Sequence, residues 1–447
     1  MTTIAWAQGA ARAVSESLGN DFGPTPQENV DALRDAAARL SDTPSPDAEL
    51  CLKLDKLIQL AHKEMAVSSS AAQIGWRRLY TDACILRSLA DIYSLNSTNA
   101  QKYALSCIAR LDHAIIIAGA PGEGRLDFTI DLIAEVQSKC FRSPGAGEML
   151  VPVPVTTPHS PTLPLTALRT YSEAVPRLDV PPSLTSFATS LSRRPFVLPG
   201  YICDWPAMNE HPWRSLDYLR AVTGPGRVVP VEIGRDYTEA DWTQKMMPWD
   251  EFLDSLGRDS NQEQRPTLYL AQHNLLKQFP ALRDDMMPPD YVYTSPSPTE
   301  DFPTYTPPAN EDQLVLNTWL GPAGTISPAH TDPFFNFFAQ VVGRKTVWLA
   351  PPSTTPSMYP YPPPSVSSNQ ARNPAANSTD PSMGNTSRVD VFSDTAANHD
   401  DYPLFWDNTV PQAMAVTLEP GDLLFFPPGW WHAMRSEDTS FSVSMWF

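Results

Sequence analysis

His330 and Asp332 lie two residues apart within residues 313–349, an apolar, β-branched and aromatic stretch that reads as strand. On a strand, residues i and i+2 point to the same face, so an imidazole and a carboxylate are aimed together at one point. A mononuclear metal site needs a third ligand, and the good candidate downstream is His432, within residues 418–435. Two histidines and one carboxylate with coordination positions left open form the ligand set of non-haem Fe(II) oxygenases. His and Asp fall two apart by chance in many proteins, so the spacing gains weight only from its context. Alternation carried onward across a turn puts Lys345, Val347 and Leu349 on one face of the next strand. An unpaired ammonium on an apolar strand is costly, and a carboxylate ligand held between metal and Lys345 would resolve that cost. The alternative is a lysine that snorkels to solvent.

These residues need a scaffold of strands, and the chain supplies it only in its second half. Up to residue 148 the apolar residues recur at helical spacing. Thr25-Pro26-Gln27-Glu28 has the form of a capping box with proline at the first helical position, and Val30, Leu33, Ala37 and Leu40 follow. Leu50, Leu54, Leu57, Ile58 and Ala61 repeat the pattern; Trp76 to Ala90, Tyr103 to Ile115 and Leu126 to Val136 continue it. Five or six amphipathic helices in antiparallel hairpins are expected. Residues 149–170 are proline-dense, cannot propagate a helix and read as a linker. From 171 to 447 strands dominate: 194–198, 227–233, 267–273, 413–418, 423–426 and 441–447, with a short helix at 213–222. The Pro/Ser/Asn-rich stretch near 351–387 reads as an exposed, disordered insertion.

The 447 residues carry a formal charge of −18, which disfavours direct binding to nucleic acid phosphates and suits a basic protein or peptide partner. No apolar run approaches the ~18 residues of a membrane span and no leader pattern opens the chain, so a soluble intracellular protein is expected. Five cysteines without C-x-x-C spacing read as buried thiols rather than a disulfide framework. His62 and His113 lack a second ligand-type residue at a convincing spacing and read as surface or capping residues; His399, beside Asp400 in a polar context, reads as a surface residue rather than a ligand.

His330-x-Asp332, Lys345 and His432, with Gly421-Asp422-x-Leu424-x-Phe426-x-Pro428 and Trp431-His432, resemble the JmjC-domain 2-oxoglutarate oxygenases. Trp205-Pro206, Val229-Pro230-Val231-Glu232, Tyr269-Leu270-Ala271-Gln272-His273, residues 319–328 and Asn385-Thr386-Ser387-x-Val389-Asp390 resemble the subgroup named lysine demethylase eight. The resemblance covers roughly residues 194–447. It implies an α+β chain: an all-α N-terminal domain followed by a double-stranded β-helix, the jelly-roll or cupin-like JmjC catalytic domain. It implies Fe(II) on His330, Asp332 and His432, with dioxygen as cosubstrate. It implies 2-oxoglutarate on Lys345, helped by Tyr269, Ser327, Asn336 and Trp446, behind an aromatic wall of Trp319, Trp446, Phe335 and Phe337, part of which must be core. Glu232, Tyr237 and Trp319 match substrate-pocket positions, where a buried carboxylate would pair with a guanidinium in a bidentate way; a strand-end surface glutamate is the alternative. Phe334 and Phe335 stand where polar residues are commoner in the subgroup.

The expected activity is hydroxylation of arginine side chains in a basic protein. N-methyl-lysine demethylation of a histone is the rival, and a metal-free cupin acting as an interaction module is the rival outside enzymes. The chain stops at Phe447 without the helical extension that forms a dimer interface in some JmjC hydroxylases, so a monomer is expected. No basic cluster decides between nucleus and cytoplasm.

Overall fold

Side chains spaced by three and four, then by two, divide the chain into a helical and a stranded part. The computed structural model describes residues 3–19, 22–42, 47–93, 100–141, 168–238, 242–256, 266–362 and 383–447. Two units emerge, one of residues 1–155 with 219–230 and 246–253, the other of 156–218, 231–245 and 254–447. The helical unit thus takes in two segments from the stranded half. Most of the proline-dense linker and residues 363–382 of the Pro-rich insertion lie outside the described residues.

The helical unit contains α1 (Thr3–Ser17), α2 (Gln27–Asp42), α3 (Ala48–Val67), α4 (Ser70–Tyr93), α5 (Ala100–Ala118) and α6 (Arg125–Cys140). In α4 the run Leu79, Tyr80, Ala83, Cys84, Ile85, Leu86, Leu89 and Ala90 is buried on nearly every side, which makes α4 the central helix, packed against α1, α2, α3 and α5. Each large apolar side chain withdrawn from water in this way is worth about 1.5–3 kcal/mol. Some buried polar groups inside the unit are paired: Arg125 Nε donates to Asp82 at 2.6 Å, although Arg125 Nη2 and Asp82 Oδ2 are buried without hydrogen-bond partners. Arg227 is bidentate on Asp112, whose Oδ2 also accepts from the Val228 N–H at 2.9 Å.

Two expectations fail here. The Thr25 capping box does not form: α2 starts at Gln27, Pro26 supplies the first carbonyl, and the Thr25 hydroxyl is buried without a partner. Of the cysteines, Cys84 and Cys107 are buried, but Cys51 and Cys140 are half-buried and Cys203 is exposed.

The strands are β1 (Glu173–Ala174), β2 (Phe196–Leu198), β3 (Val228–Ile233), β4 (Thr243–Pro248), β5 (Leu268–His273), β6 (Val315–Gly321), β7 (Ile326–Thr331), β8 (Asn336–Val342), β9 (Lys345–Ala350), β10 (Met414–Leu418), β11 (Leu423–Phe426), β12 (Trp431–Ser436) and β13 (Ser440–Trp446). They form a five-stranded sheet, β1-β10-β9-β12-β7, and an eight-stranded sheet, β2-β11-β8-β13-β6-β5-β3-β4. From β7 to β13 the chain passes back and forth between the sheets, with antiparallel pairing. This is a double-stranded β-helix, and the fold is α+β. Gly343 makes the β8–β9 crossing possible: its φ of +66° is left-handed, and a Cβ there would meet the Thr439 carbonyl oxygen at 2.1 Å.

The crossing corrects the alternation argument. Lys345 is not on the strand after the one bearing His330, because β8 intervenes in the other sheet. Lys345 stays near because β9 pairs with β12, setting Lys345 opposite Ser436 and Leu349 opposite His432. The ends of the Pro-rich insertion are also ordered: 352–357 form a 3-10 helix, and Pro360 bridges Ser387.

Candidate metal centre and its pocket

β7 and β12 bring the histidines together as a directly opposed cross-strand pair, with ring centroids 4.2 Å apart. Asp332 follows β7 by one residue; the Gly429 N–H anchors its carbonyl at 2.8 Å, and its Oδ2 lies 3.4 Å from His432 Nε2. One donor atom from each of His330, Asp332 and His432 falls within 4.8 Å of the others. His330 Nδ1 donates to the Pro328 carbonyl at 2.7 Å and His432 Nδ1 to the Trp430 carbonyl at 3.0 Å. A carbonyl can only accept, so the proton sits on Nδ1 and each Nε2 lone pair is left for a ligand. Burial, seconded by His432, pushes His330 down to about 4 and keeps it neutral. Burial alone would raise the Asp332 carboxyl, but the two histidines beside it outweigh burial and hold it below the usual range.

A bulge explains how Ser327 joins this face. Met434 pairs with Ser327 while His432 pairs with His330, so β7 spends three residues where β12 spends two. The extra residue re-aims the strand, and Ser327 and His330 line the same pocket although strict alternation would oppose them. That pocket, about 240 Å³ of empty space with its mouth included, is also lined by Asp332, His432, Trp319, Asn336, Phe338, Met434, Ser444 and Trp446.

Lys345 is 1 % exposed. Its nearest polar partner is the Tyr269 hydroxyl at 3.4 Å, and its Nζ stands 5.7 Å and 5.6 Å from the ring centroids of Tyr269 and Phe338. It does not snorkel, and among the described residues no carboxylate pairs with it. Burial pushes its ammonium down to about 7. Asn317 Nδ2 and Trp446 Nε1 are likewise buried without acceptors. A buried cation and orphaned donors fit an anionic, oxygen-rich ligand. Gly321 leaves the room that Tyr269 occupies: a Cβ there would meet Tyr269 Cδ2 at 2.6 Å.

Of the three residues matched to a substrate pocket, Trp319 lines this cavity, whereas Glu232 and Tyr237 are not among its lining residues. Glu232 is the cross-strand partner of Tyr269 and is half-buried. Burial raises its carboxyl, the Trp242 indole facing it offsets part of the rise, and Asp236 adds to it. Tyr237, whose hydroxyl burial pushes up to about 12, feels both Glu232 and Asp332 and stands 3.5 Å from the Thr386 hydroxyl. Trp319 donates to Ser444 at 3.4 Å. Asn336 is buried and accepts from the Met445 N–H at 3.3 Å.

The aromatic wall needs correcting. Phe335 and Phe337 belong to a separate core cluster with Phe425 and Phe447, and the neighbouring Phe338 lines the pocket instead. Phe334 stacks on Trp446, with centroids 5.6 Å apart. Sequence reasoning also missed Asn317 and Trp242. Asn317 was findable, being two residues before Trp319 on one strand; Trp242, in a polar segment, carried no signal.

Comparison with known proteins agrees with this geometry. The family described as a cupin-like domain matches residues 185–447. "Lysine-specific demethylase 8" of Danio rerio is 30% identical over 375 residues, covering 83% of this chain and 81% of that protein. "Jumonji C domain-containing protein 5" of Drosophila melanogaster is 38% identical over 64% of this chain and 63% of its own. "Lysine-specific demethylase 8" of Xenopus tropicalis is 37% identical over 61% of this chain and 53% of its own.

Proposed function

The chain belongs to the cupin-like JmjC oxygenases and is a 2-oxoglutarate-dependent dioxygenase, and we propose that it hydroxylates arginine side chains of a basic protein substrate. The observation that carries the choice of side chain is Glu232, a half-buried carboxylate set across the strands from Tyr269, with Tyr237 feeling both Glu232 and Asp332 of the cluster.

His330, Asp332 and His432 would hold Fe(II), and Lys345, Tyr269, Ser327, Asn336 and Trp446 would hold 2-oxoglutarate. Metal, 2-oxoglutarate and dioxygen together supply the oxidising power. The chain supplies position and dryness. The carbonyls of Pro328 and Trp430 fix both imidazole tautomers. A carboxylate arriving at Lys345 favours the ammonium over the amine, so the proton on Nζ is stabilised by the ligand it binds. Trp319, Phe338 and Trp446 limit water around the ligand atoms. Glu232 gains from a guanidinium in the same sense: two parallel N–H donors restore the charged carboxylate that burial disfavours. Tyr237 and Trp319 would flank that guanidinium, and the acidity of the whole chain suits a basic partner.

The second reading, N-methyl-lysine demethylation, is favoured by the names of the Danio and Xenopus relatives. Mass spectrometry separates the two, using arginine peptides and methyl-lysine peptides incubated with protein, Fe(II), ascorbate and 2-oxoglutarate. A gain of one oxygen on arginine is expected. Loss of a methyl group from lysine, with arginine untouched, would replace the first reading by the second.

A further inference from the structure

β7 bears His330 and Ser327, yet it is the edge strand of the five-stranded sheet. An edge exposes unpaired backbone groups and frays more readily than a central strand. Here three residues close it. The Ser387 N–H donates to the Ala329 carbonyl at 2.8 Å, Thr386 forms a bridge opposite His330, and Asn385 Nδ2 donates to the Thr331 carbonyl at 2.9 Å. The side chain of Asn385 therefore supplies the rung that a longer strand would have supplied from its backbone. Thr331 is the residue between His330 and Asp332, so this rung lies between two of the cluster's three side chains. The strap is itself held: Ser387 Oγ donates to the Met358 carbonyl, and the Tyr361 N–H donates to the Thr386 carbonyl at 2.9 Å. Thr386 is buried and faces the Tyr237 hydroxyl.

We infer that Asn385 is a positioning residue for the metal centre, its carboxamide fixing the segment from His330 to Asp332 from the open edge of β7. The inference rests on the metal-binding reading of His330, Asp332 and His432. Asn385 is exposed, so its truncation leaves no buried void, and its effect is confined to the geometry of the strand it holds.

The test measures Mn(II) affinity by the paramagnetic resonance of the free ion, on the full chain without 2-oxoglutarate, for wild type, Asn385→Ala, Asn385→Asp and His330→Ala. Asn385→Asp keeps the shape and removes the donor. Both Asn385 variants should bind Mn(II) about tenfold more weakly, the scale of losing a partner that orients ligands. Their kcat for 2-oxoglutarate turnover should fall while KM for the peptide holds, and the metal-free unfolding midpoint should match wild type. Wild-type Mn(II) affinity in both variants, with His330→Ala defective, would overturn this inference alone. A lowered metal-free midpoint accompanying the weaker affinity would overturn it in favour of a structural role. Equal Mn(II) binding by wild type and His330→Ala would overturn the metal reading and this inference with it.

Discussion

Replacing Lys345 by methionine should stabilise the ligand-free protein while destroying its response to 2-oxoglutarate. The ammonium is 1 % exposed and has one weak polar partner, Tyr269 at 3.4 Å. Burial moves it from 10.5 to about 7, which at about 1.4 kcal/mol per factor of ten is a cost on the order of 5 kcal/mol for keeping it charged. The sign follows from proton counting. Between pH 7 and 10 the unfolded chain binds more protons at this lysine than the folded chain, so stability rises with pH in that window. Below pH 7 both states are protonated and the full cost is felt. Methionine has similar length and no charge, and it packs against Phe338 and Tyr269 without that cost. Water penetration and relaxation reduce the gain, so an increase of about 2 kcal/mol at pH 7 is expected in urea unfolding of metal-free, ligand-free protein. The difference between the proteins should shrink from pH 7 to 9. In the presence of Mn(II), 2-oxoglutarate should stabilise wild type by mass action and leave Lys345→Met unmoved. A methionine variant less stable than wild type at pH 7, with the difference constant to pH 9, would refute the picture of an unpaired cation awaiting a carboxylate.

Three further outcomes are expected. Glu232→Ala should lower kcat/KM for an arginine peptide by about thirtyfold or more, the cost of breaking a buried charge pair, while uncoupled 2-oxoglutarate turnover measured as succinate stays within about twofold. Gly321→Ala should push Tyr269 away from Lys345 and raise KM for 2-oxoglutarate about tenfold with Mn(II) affinity unchanged, since the added Cβ meets the ring at 2.6 Å. Asp112→Ala should cost about 3–5 kcal/mol in urea unfolding, because it leaves the guanidinium of Arg227 buried without its bidentate partner.

The sequence carried the long helices and most strands, because their apolar periodicity is the direct trace of burial. It carried His330, Asp332, His432 and Lys345 because their chemistry is conspicuous in an apolar context. α1 escaped notice because residues 3–17 carry only a modest stripe of small residues. The facing of Ser327 could not follow from alternation, since the bulge between Ser327 and His330 is a property of the pairing with β12 rather than of β7 itself. Phe335, Phe337 and Phe338 look alike in composition; which of them meets the pocket is decided by the register of β8 against β11 and β13. Asn385 lies at the end of a stretch whose composition argues for disorder, yet its rung to Thr331 is made by tertiary placement. Among the described residues no helix is long and apolar enough to cross a membrane.

The most direct test of the metal-centred account is release of labelled carbon dioxide from 2-oxoglutarate by iron-loaded wild type and by His330→Ala, Asp332→Ala and His432→Ala, each checked for an unchanged circular dichroism spectrum. Turnover in wild type and loss of at least a hundredfold in all three folded variants is the expected result. Turnover persisting in any of the three, or absent from iron-loaded wild type, would contradict the assignment of His330, Asp332 and His432 as the centre of the chemistry.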